Sequence, residues 1–156
     1  MLMLVLYVDD LLIIGEDHLI RKCKQELIAE FNMKDLGILY YFLGLEVCQK
    51  ENYIFLNQGK YIVDLLTKFG MMDCRPASTP MELNLHKLKD NMIESKPADS
   101  TLYRQRIGSL MYLVNTRPNI CYATNTLSDF ISAPKKIHLT TTKHIFRYLR
   151  LGRQFH

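Results

Sequence analysis

The chain has 156 residues and a mass of 18.3 kDa, enough for one ordinary domain or a pair of small ones. Its 48% apolar and 23% charged content excludes wholesale disorder. The net charge of +4 hides an asymmetry, −4 over residues 1–100 and +8 over residues 101–156, where Asp129 is the only acid. Such a field suits a polyanionic partner, or else a basic surface that complements the acidic part. The longest apolar run, Met1 to Val8, is too short for a spanning helix of about 20 residues and lacks the basic start of a secretory signal. A soluble, intracellular protein is expected, without a membrane partner. Cys23, Cys48, Cys74 and Cys121 are widely spaced and form no C-x-x-C pair, so reduced thiols are expected rather than zinc or a disulfide framework.

In chain order, Leu2–Tyr7 and Leu11–Ile14 are short apolar runs separated by Val8-Asp9-Asp10 and closed by Gly15. They predict a tight hairpin with the aspartates at or beside its turn. Ile20, Cys23, Leu27 and Phe31 then recur at helical spacing opposite Arg21, Lys22, Lys24 and Glu26, which predicts an amphipathic helix packed on that hairpin and ending near Asn32. Tyr40–Gln49 reads as one strand region and Tyr53–Leu56 as its partner, with Glu51-Asn52 as the turn. Asn57 is placed to cap a helix whose stripe is Ile62, Leu65, Leu66 and Phe69, and Gly70 to stop it.

Residues 71–100 change character. Pro76, Pro80 and Pro97 with scattered serines and charges predict a linker, with a short ordered piece around Leu83–Leu88. The remainder predicts three helices. Tyr103, Ile107, Leu110, Met111 and Val114 share one face; Pro118 opens a second helix that runs to about Ile131; Leu139, Thr142, Ile145, Phe146 and Leu149 define a third, ending at Gly152. The fold class is α+β, with antiparallel hairpins and helices over 1–70, a linker over 71–100 and a basic helical subdomain over 101–156.

Asp9-Asp10 is the sharpest chemical feature. Two adjacent carboxylates between apolar strands are costly to bury unless something neutralises them. Mg²⁺ accepts one or two protein carboxylates together with substrate phosphates, and such ions can clamp the oxygens of a phosphoryl transfer. An exposed acidic turn is the competing reading, since Asp is a common turn residue. A second feature is Lys135, Lys136, Lys143, Arg147, Arg150 and Arg153, six cations in 19 residues with no acid among them. Lys143, Arg147 and Arg150 stand four and three apart on one helix face, suited to sequence-independent phosphate contact or to simple solvation. His138 and His144 are too isolated to be ligands or bases, and Glu46, Asp64 and Asp73 show no spacing that would add a metal ligand.

The apolar run, Tyr7-Val8-Asp9-Asp10, second apolar run and following helix resemble the metal-binding hairpin of reverse transcriptases. Phe31-Asn32-Met33-Lys34-Asp35-Leu36-Gly37 and Tyr41-Phe42-Leu43-Gly44-Leu45-Glu46-Val47 narrow the resemblance to the copia (Ty1-like) retrotransposon class. Tyr103-x-x-x-Ile107-Gly108-Ser109-Leu110-Met111-Tyr112-Leu113, Thr116-Arg117-Pro118-Asn119-Ile120 and Phe146-Arg147-Tyr148-Leu149-Arg150 extend it over nearly the whole chain.

The resemblance implies a partial polymerase palm followed by a thumb-like helical subdomain, and a Mg²⁺- or Mn²⁺-dependent RNA-directed DNA polymerase as the parent activity. Asp9 and Asp10 would be the catalytic, metal-holding carboxylates, with Tyr7 and Val8 beside the primer terminus. Phe42, Leu43 and Gly44 would form the primer-gripping hairpin. Lys143, Arg147 and Arg150 would contact nucleic acid, an RNA template with its DNA primer, and Lys34 corresponds only loosely to a cation near the incoming nucleotide. In this class a further catalytic aspartate, the fingers and the template-contacting segment precede the hairpin, and a ribonuclease H domain follows the last helix. With the hairpin starting at residue 2, weak metal binding is expected here, and an upstream portion could supply the missing ligand. The alternative expectation is a catalytically inactive remnant that binds nucleic acid through its basic helices. A cytoplasmic, nuclear or mitochondrial location is compatible with the resemblance.

Overall fold

Two apolar runs of β-prone residues flank Val8-Asp9, and they pair as the antiparallel strands β1 (Leu2–Tyr7) and β2 (Asp10–Gly15) in the computed structural model, which describes residues 1–50, 53–81, 88 and 96–152. The register runs from Leu2 opposite Gly15 to Tyr7 opposite Asp10. Helix α1 (Asp17–Glu30) follows, with Asp17 in its first turn where a negative charge meets the positive end of the helix dipole. Ile20, Cys23 and Leu27 are half-buried where α1 lies against β2, while Phe31, expected on the same stripe, caps the helix and is exposed. Beyond the helix, Lys24 Nζ donates to both carboxylate oxygens of Asp35 at 2.9 Å, and the Gly37 N–H donates to Asp35 Oδ1. These elements form one compact unit, Met1–Leu39; Tyr40–His156 form the other.

Within the second unit the Tyr40–Gln49 region is not the single strand that its residue pattern suggests but a hairpin, with the turn at the residues that the resemblance gave to one. Strand β3 (Tyr41–Phe42) turns through Leu43-Gly44 into β4 (Leu45–Gln49), which pairs with β5 (Ile54–Asn57) in the order β3-β4-β5, all antiparallel. The expected Glu51-Asn52 turn lies outside the described residues. Helix α2 (Gly59–Lys68) starts after Gln58 rather than at an Asn57 cap, and Gly70, at φ +65°, follows its end. Helix α3 (Ser100–Val114) is capped by Asp99, whose Oδ1 accepts from the Thr101 and Leu102 N–H groups. Pro118–Ile120 form a single 3₁₀ turn, α4 (Cys121–Ser128) stops three residues short of the expected Ile131, and α5 (Lys136–Gly152) completes the chain.

The core belongs to these helices. Ile62 and Leu66 of α2, Tyr103, Ile107, Leu110 and Leu113 of α3, Leu127 of α4, and Ile145, Phe146 and Leu149 of α5 are all buried together. Leu113 replaces the expected Met111, which is exposed, as the inward residue of the last turn of α3. Tyr103 Oη donates to the Leu127 carbonyl at 2.6 Å, which satisfies the phenol inside the core. Phe69 and Phe146 meet with tilted rings, 5.1 Å between centres, joining the end of α2 to α5. The contact boundary therefore falls between Leu39 and Tyr40, while α2 and α5 share one core. Residues after α2 are also tied to α5: the Ala77 N–H donates to the Arg147 carbonyl at 3.2 Å, and Arg147 Nε donates to the Arg75 carbonyl at 2.7 Å. Of the expected ordered piece at Leu83–Leu88 only Leu88 is among the described residues; it is buried and its carbonyl lies 3.1 Å from His138 Nε2.

Candidate active site

The tip of the first hairpin is a two-residue turn, Val8-Asp9, closed by the Tyr7–Asp10 pair. Val8 has φ +52°, a conformation that a β-branched residue adopts only at a steric cost. Strain of this kind persists where the flanking strands over-determine the turn, and it gathers at functional sites. Val8 at this turn is 77% exposed, and Asp9 and Asp10 are exposed as well. Neither carboxylate has a hydrogen-bond or ion-pair partner among the described residues.

Two free, adjacent carboxylates are a hard-oxygen donor set of the kind that Mg²⁺ uses, with water and phosphate oxygens completing the shell. The residues fit such an ion in chemistry and in number at its lower end. Among the described residues no three Asp, Glu, His or Cys side chains are grouped for a metal. Glu46 is engaged elsewhere, its Oε1 accepting from the Lys60 N–H at 2.6 Å at the start of α2.

Phe42, Leu43 and Gly44 occupy a second tight turn, in the other unit. Leu43 at φ +51° and Gly44 at φ +79° give two successive left-handed residues, the backbone of a type I′ hairpin turn. Here α3 supplies the support: Tyr112 Oη donates to the Leu43 carbonyl at 2.7 Å. A Cβ on Gly44 would collide with the Tyr112 hydroxyl, so glycine is required on two grounds. Sequence reasoning placed Tyr112 in a motif without giving it a role.

The cations of α5 divide by environment. Lys143 is exposed, while Arg147 and Arg150 are half-buried. Arg147 is partly consumed by the Arg75 carbonyl, which leaves its terminal nitrogens for other work. Lys135 and Lys136 stand at the start of α5, where Lys135 pairs with Pro97 and the Lys136 N–H donates to the Lys96 carbonyl. Arg153 lies outside the described residues. Lys34 is exposed and belongs to the Met1–Leu39 unit. The structure thus groups Tyr7, Val8, Asp9 and Asp10 on one turn, and Phe42, Leu43 and Gly44 on another, with the α5 cations in the unit that holds the second turn.

His138 is a satisfied core histidine. The Lys135 N–H donates to its Nδ1 at 3.1 Å, so Nε2 carries the proton and donates to the Leu88 carbonyl, and the ring stacks on Phe130 at 3.9 Å. Burial holds its pKa below the ordinary imidazole value. Arg106 escaped the sequence reading. It sits inside the apolar stripe of α3 between Tyr103 and Leu110, and it is 4% exposed. A cation within a buried stripe was the signal that could have found it.

Comparison with known proteins gives a consistent result. Residues 1–83 match the family model described as reverse transcriptase (RNA-dependent DNA polymerase). An uncharacterized mitochondrial protein of Arabidopsis thaliana is 38% identical over 154 residues, covering 98% of this chain and 62% of that protein. The retrovirus-related Pol polyprotein from transposon RE1 of Arabidopsis thaliana is 40% identical over 151 residues, 94% of this chain and 10% of the polyprotein. That from transposon TNT 1-94 of Nicotiana tabacum is 40% identical over 157 residues, 96% of this chain and 12% of the polyprotein. The chain thus spans about three fifths of the first relative and about a tenth of the two polyproteins. No solved structure matches.

Proposed function

Because the chain belongs to the reverse transcriptase (RNA-dependent DNA polymerase) family, in its copia-type retrotransposon Pol branch, we propose that it supplies palm and thumb parts of an RNA-directed DNA polymerase. The observation that carries this reading is the strained Val8-Asp9 turn, which presents Asp9 and Asp10 as free neighbouring carboxylates. Asp9 and Asp10 would hold Mg²⁺ or Mn²⁺; such an ion, when bound, neutralises phosphate charge and polarises the reacting oxygens. The apolar Tyr7 and Val8 give the primer terminus a surface beside them. Phe42, Leu43 and Gly44 form a rigid backbone ridge that a primer strand can lie against, and Lys143, Arg147 and Arg150 offer phosphate contacts. In this reading residues 1–70 act as partial palm and 101–156 as thumb, joined through 71–100, with an RNA template and a DNA primer as substrates.

Mn²⁺ titration followed by electron paramagnetic resonance tests the metal site. The expected result is weak, saturable binding that Asp9→Asn and Asp10→Asn each reduce at least tenfold; binding indifferent to both changes would refute it. Primer extension on an RNA template tests the reaction. Incorporation abolished by Asp9→Asn supports polymerase activity in this chain.

A second reading, an inactive remnant that binds nucleic acid through α5, is favoured by one observation: among the described residues no third acid joins the pair. Its mark is salt-sensitive duplex binding without incorporation.

A further inference from the structure

A cavity of about 610 Å³ opens in the Tyr40–His156 unit, between the end of α2, the segment 70–81 and α5. That volume lies in the range of small-molecule sites. One wall is a single face of α5, where Ile137, Thr141, His144 and Arg147 recur at helical spacing with Lys143 beside them. The facing wall is apolar: Phe69, Met71, Met81 and Leu88. Arg106 completes the lining.

Arg106 is the unexplained group. It is more than nine-tenths buried, yet no carboxylate among the described residues pairs with it. Its Nη1 donates to Thr142 Oγ1 at 3.3 Å and to the Leu139 carbonyl at 3.5 Å, both long, and its Nε has no acceptor among the described residues. Contact of the guanidinium with the Phe69 ring, at 5.2 Å, offsets part of the desolvation but leaves the charge uncompensated. A buried cation without a counter-ion is costly, and an anion entering the cavity would remove that cost.

From the cavity, the orphaned Arg106 and the cationic wall, we propose that this is a binding site for a small organic phosphate, its phosphoryl group on Arg106, Lys143 and Arg147 and its apolar body against Phe69, Met71 and Met81. Three cations match a dianion better than a monoanionic carboxylate, and guanidinium forks suit phosphoryl oxygens. The Thr140 and Thr141 hydroxyls donate to the Lys136 and Ile137 carbonyls of their own helix, so recognition of the anion falls to the charged groups. The apolar wall makes an ester with a flat or greasy group a better fit than the bare ion. The site shares Lys143 and Arg147 with the proposed nucleic-acid surface, but it does not rest on the polymerase reading, because it needs neither Asp9 nor Asp10 and is anchored on Arg106.

The test titrates the full chain with phenyl phosphate, inorganic phosphate and phenol, following heat and the methyl resonances of Met71 and Met81. Phenyl phosphate is expected to saturate, to shift both methyls, and to bind at least tenfold tighter than either fragment. Its affinity is expected to fall as pH drops through about 6, where the phosphoryl group takes up a proton. Arg106→Lys keeps the charge but removes the fork, and a tenfold loss is expected. Lys143→Gln, at an exposed position, should leave the circular dichroism unchanged and weaken binding about threefold. Adenosine monophosphate and a short oligothymidine with or without a 5′-phosphate separate the sources: saturation by the mononucleotide assigns the site to free metabolites, and saturation by the 5′-phosphorylated strand alone assigns it to nucleic-acid ends. Phenol binding as well as phenyl phosphate, an absence of saturable methyl shifts, or indifference to Lys143→Gln in a folded chain would each overturn the proposal.

Discussion

Tyr112 Oη donates to the Leu43 carbonyl at 2.7 Å, a bond across 69 positions of sequence that fixes the β3–β4 turn to α3. The Tyr112 ring is itself held edge-on by Tyr61 of α2, at 4.9 Å between centres. The turn is thus braced by two helices through one hydroxyl. Tyr112→Phe is expected to lower stability by about 1 kcal/mol, the usual net contribution of one such bond. Gly44→Ala is expected to cost more, about 2 kcal/mol, since it adds a left-handed backbone penalty to the collision with that hydroxyl. Urea unfolding followed by circular dichroism measures both. A Gly44→Ala midpoint equal to the parent's would show that the turn is not held as described.

Val8 presents the opposite situation, strain with no such brace among the described residues. At φ +52° a β-branched side chain is disfavoured by roughly 1–2 kcal/mol, and glycine at that position is free of the penalty. Val8→Gly is therefore expected to raise the local stability of the β1–β2 hairpin by about 1 kcal/mol once the extra chain entropy of glycine is offset. Hydrogen exchange of the strand amides is the measurement, and slower exchange across β1 and β2 is the expected outcome. Faster exchange would mean that the Val8 side chain stabilises the tip through contacts.

Periodicity carried the sequence reading wherever one local pattern decides an element. The hairpin around Asp9-Asp10, the three half-buried positions Ile20, Cys23 and Leu27 of α1, and the stripe Ile62, Leu65 and Leu66 of α2 were all legible in this way. The Leu43-Gly44 turn was reached only through the resemblance and not from the residue pattern, because only its glycine is a usual left-handed residue and the brace from Tyr112 comes from a remote segment. The shared packing of α2 and α5 was hidden for a similar reason: the Phe69–Phe146 contact joins residues on either side of a proline-rich stretch that reads as a linker. Of the candidate site, the carboxylate pair was visible as a motif. The demands on Arg147 were not, because the Arg75 carbonyl that it serves leaves no side-chain signature in sequence.

His138 makes stability depend on pH in a direction that its surroundings determine. Its pKa in the folded chain is depressed below the ordinary 6.5 chiefly by burial, with the nearby Lys135 charge adding to the effect and the Leu88 carbonyl opposing it. The unfolded chain therefore binds the proton more readily, and folding stability must rise with pH through that range. Stability is expected to be flat above about pH 7 with respect to this group and to fall on acidification through 6.5. Thermal unfolding across pH 5 to 8, together with the His138 ring proton titration by NMR, checks both halves. A His138 titration midpoint above 6.5 would reverse the sign and contradict the buried, neutral ring.

Arg147 and Arg150 sit three residues apart on α5 but carry different loads. Arg147 Nε supports the Arg75 carbonyl and thereby the segment after α2, whereas Arg150 has no side-chain partner among the described residues. If both contact a nucleic-acid backbone, they separate in a two-way comparison. Arg150→Gln is expected to weaken duplex binding and reduce the slope of log K against log salt by about 0.9, one phosphate contact on B-form DNA, while the urea midpoint stays within error. Arg147→Gln is expected to reduce the slope similarly and also to lower stability by about 1 kcal/mol, because the Arg75 carbonyl loses its donor. Fluorescence anisotropy at several salt concentrations gives the slopes, and denaturation of the same variants gives the midpoints. A slope unchanged in both variants would remove α5 from the nucleic-acid surface, and an unchanged midpoint in Arg147→Gln would show that the bond to Arg75 contributes nothing to the fold.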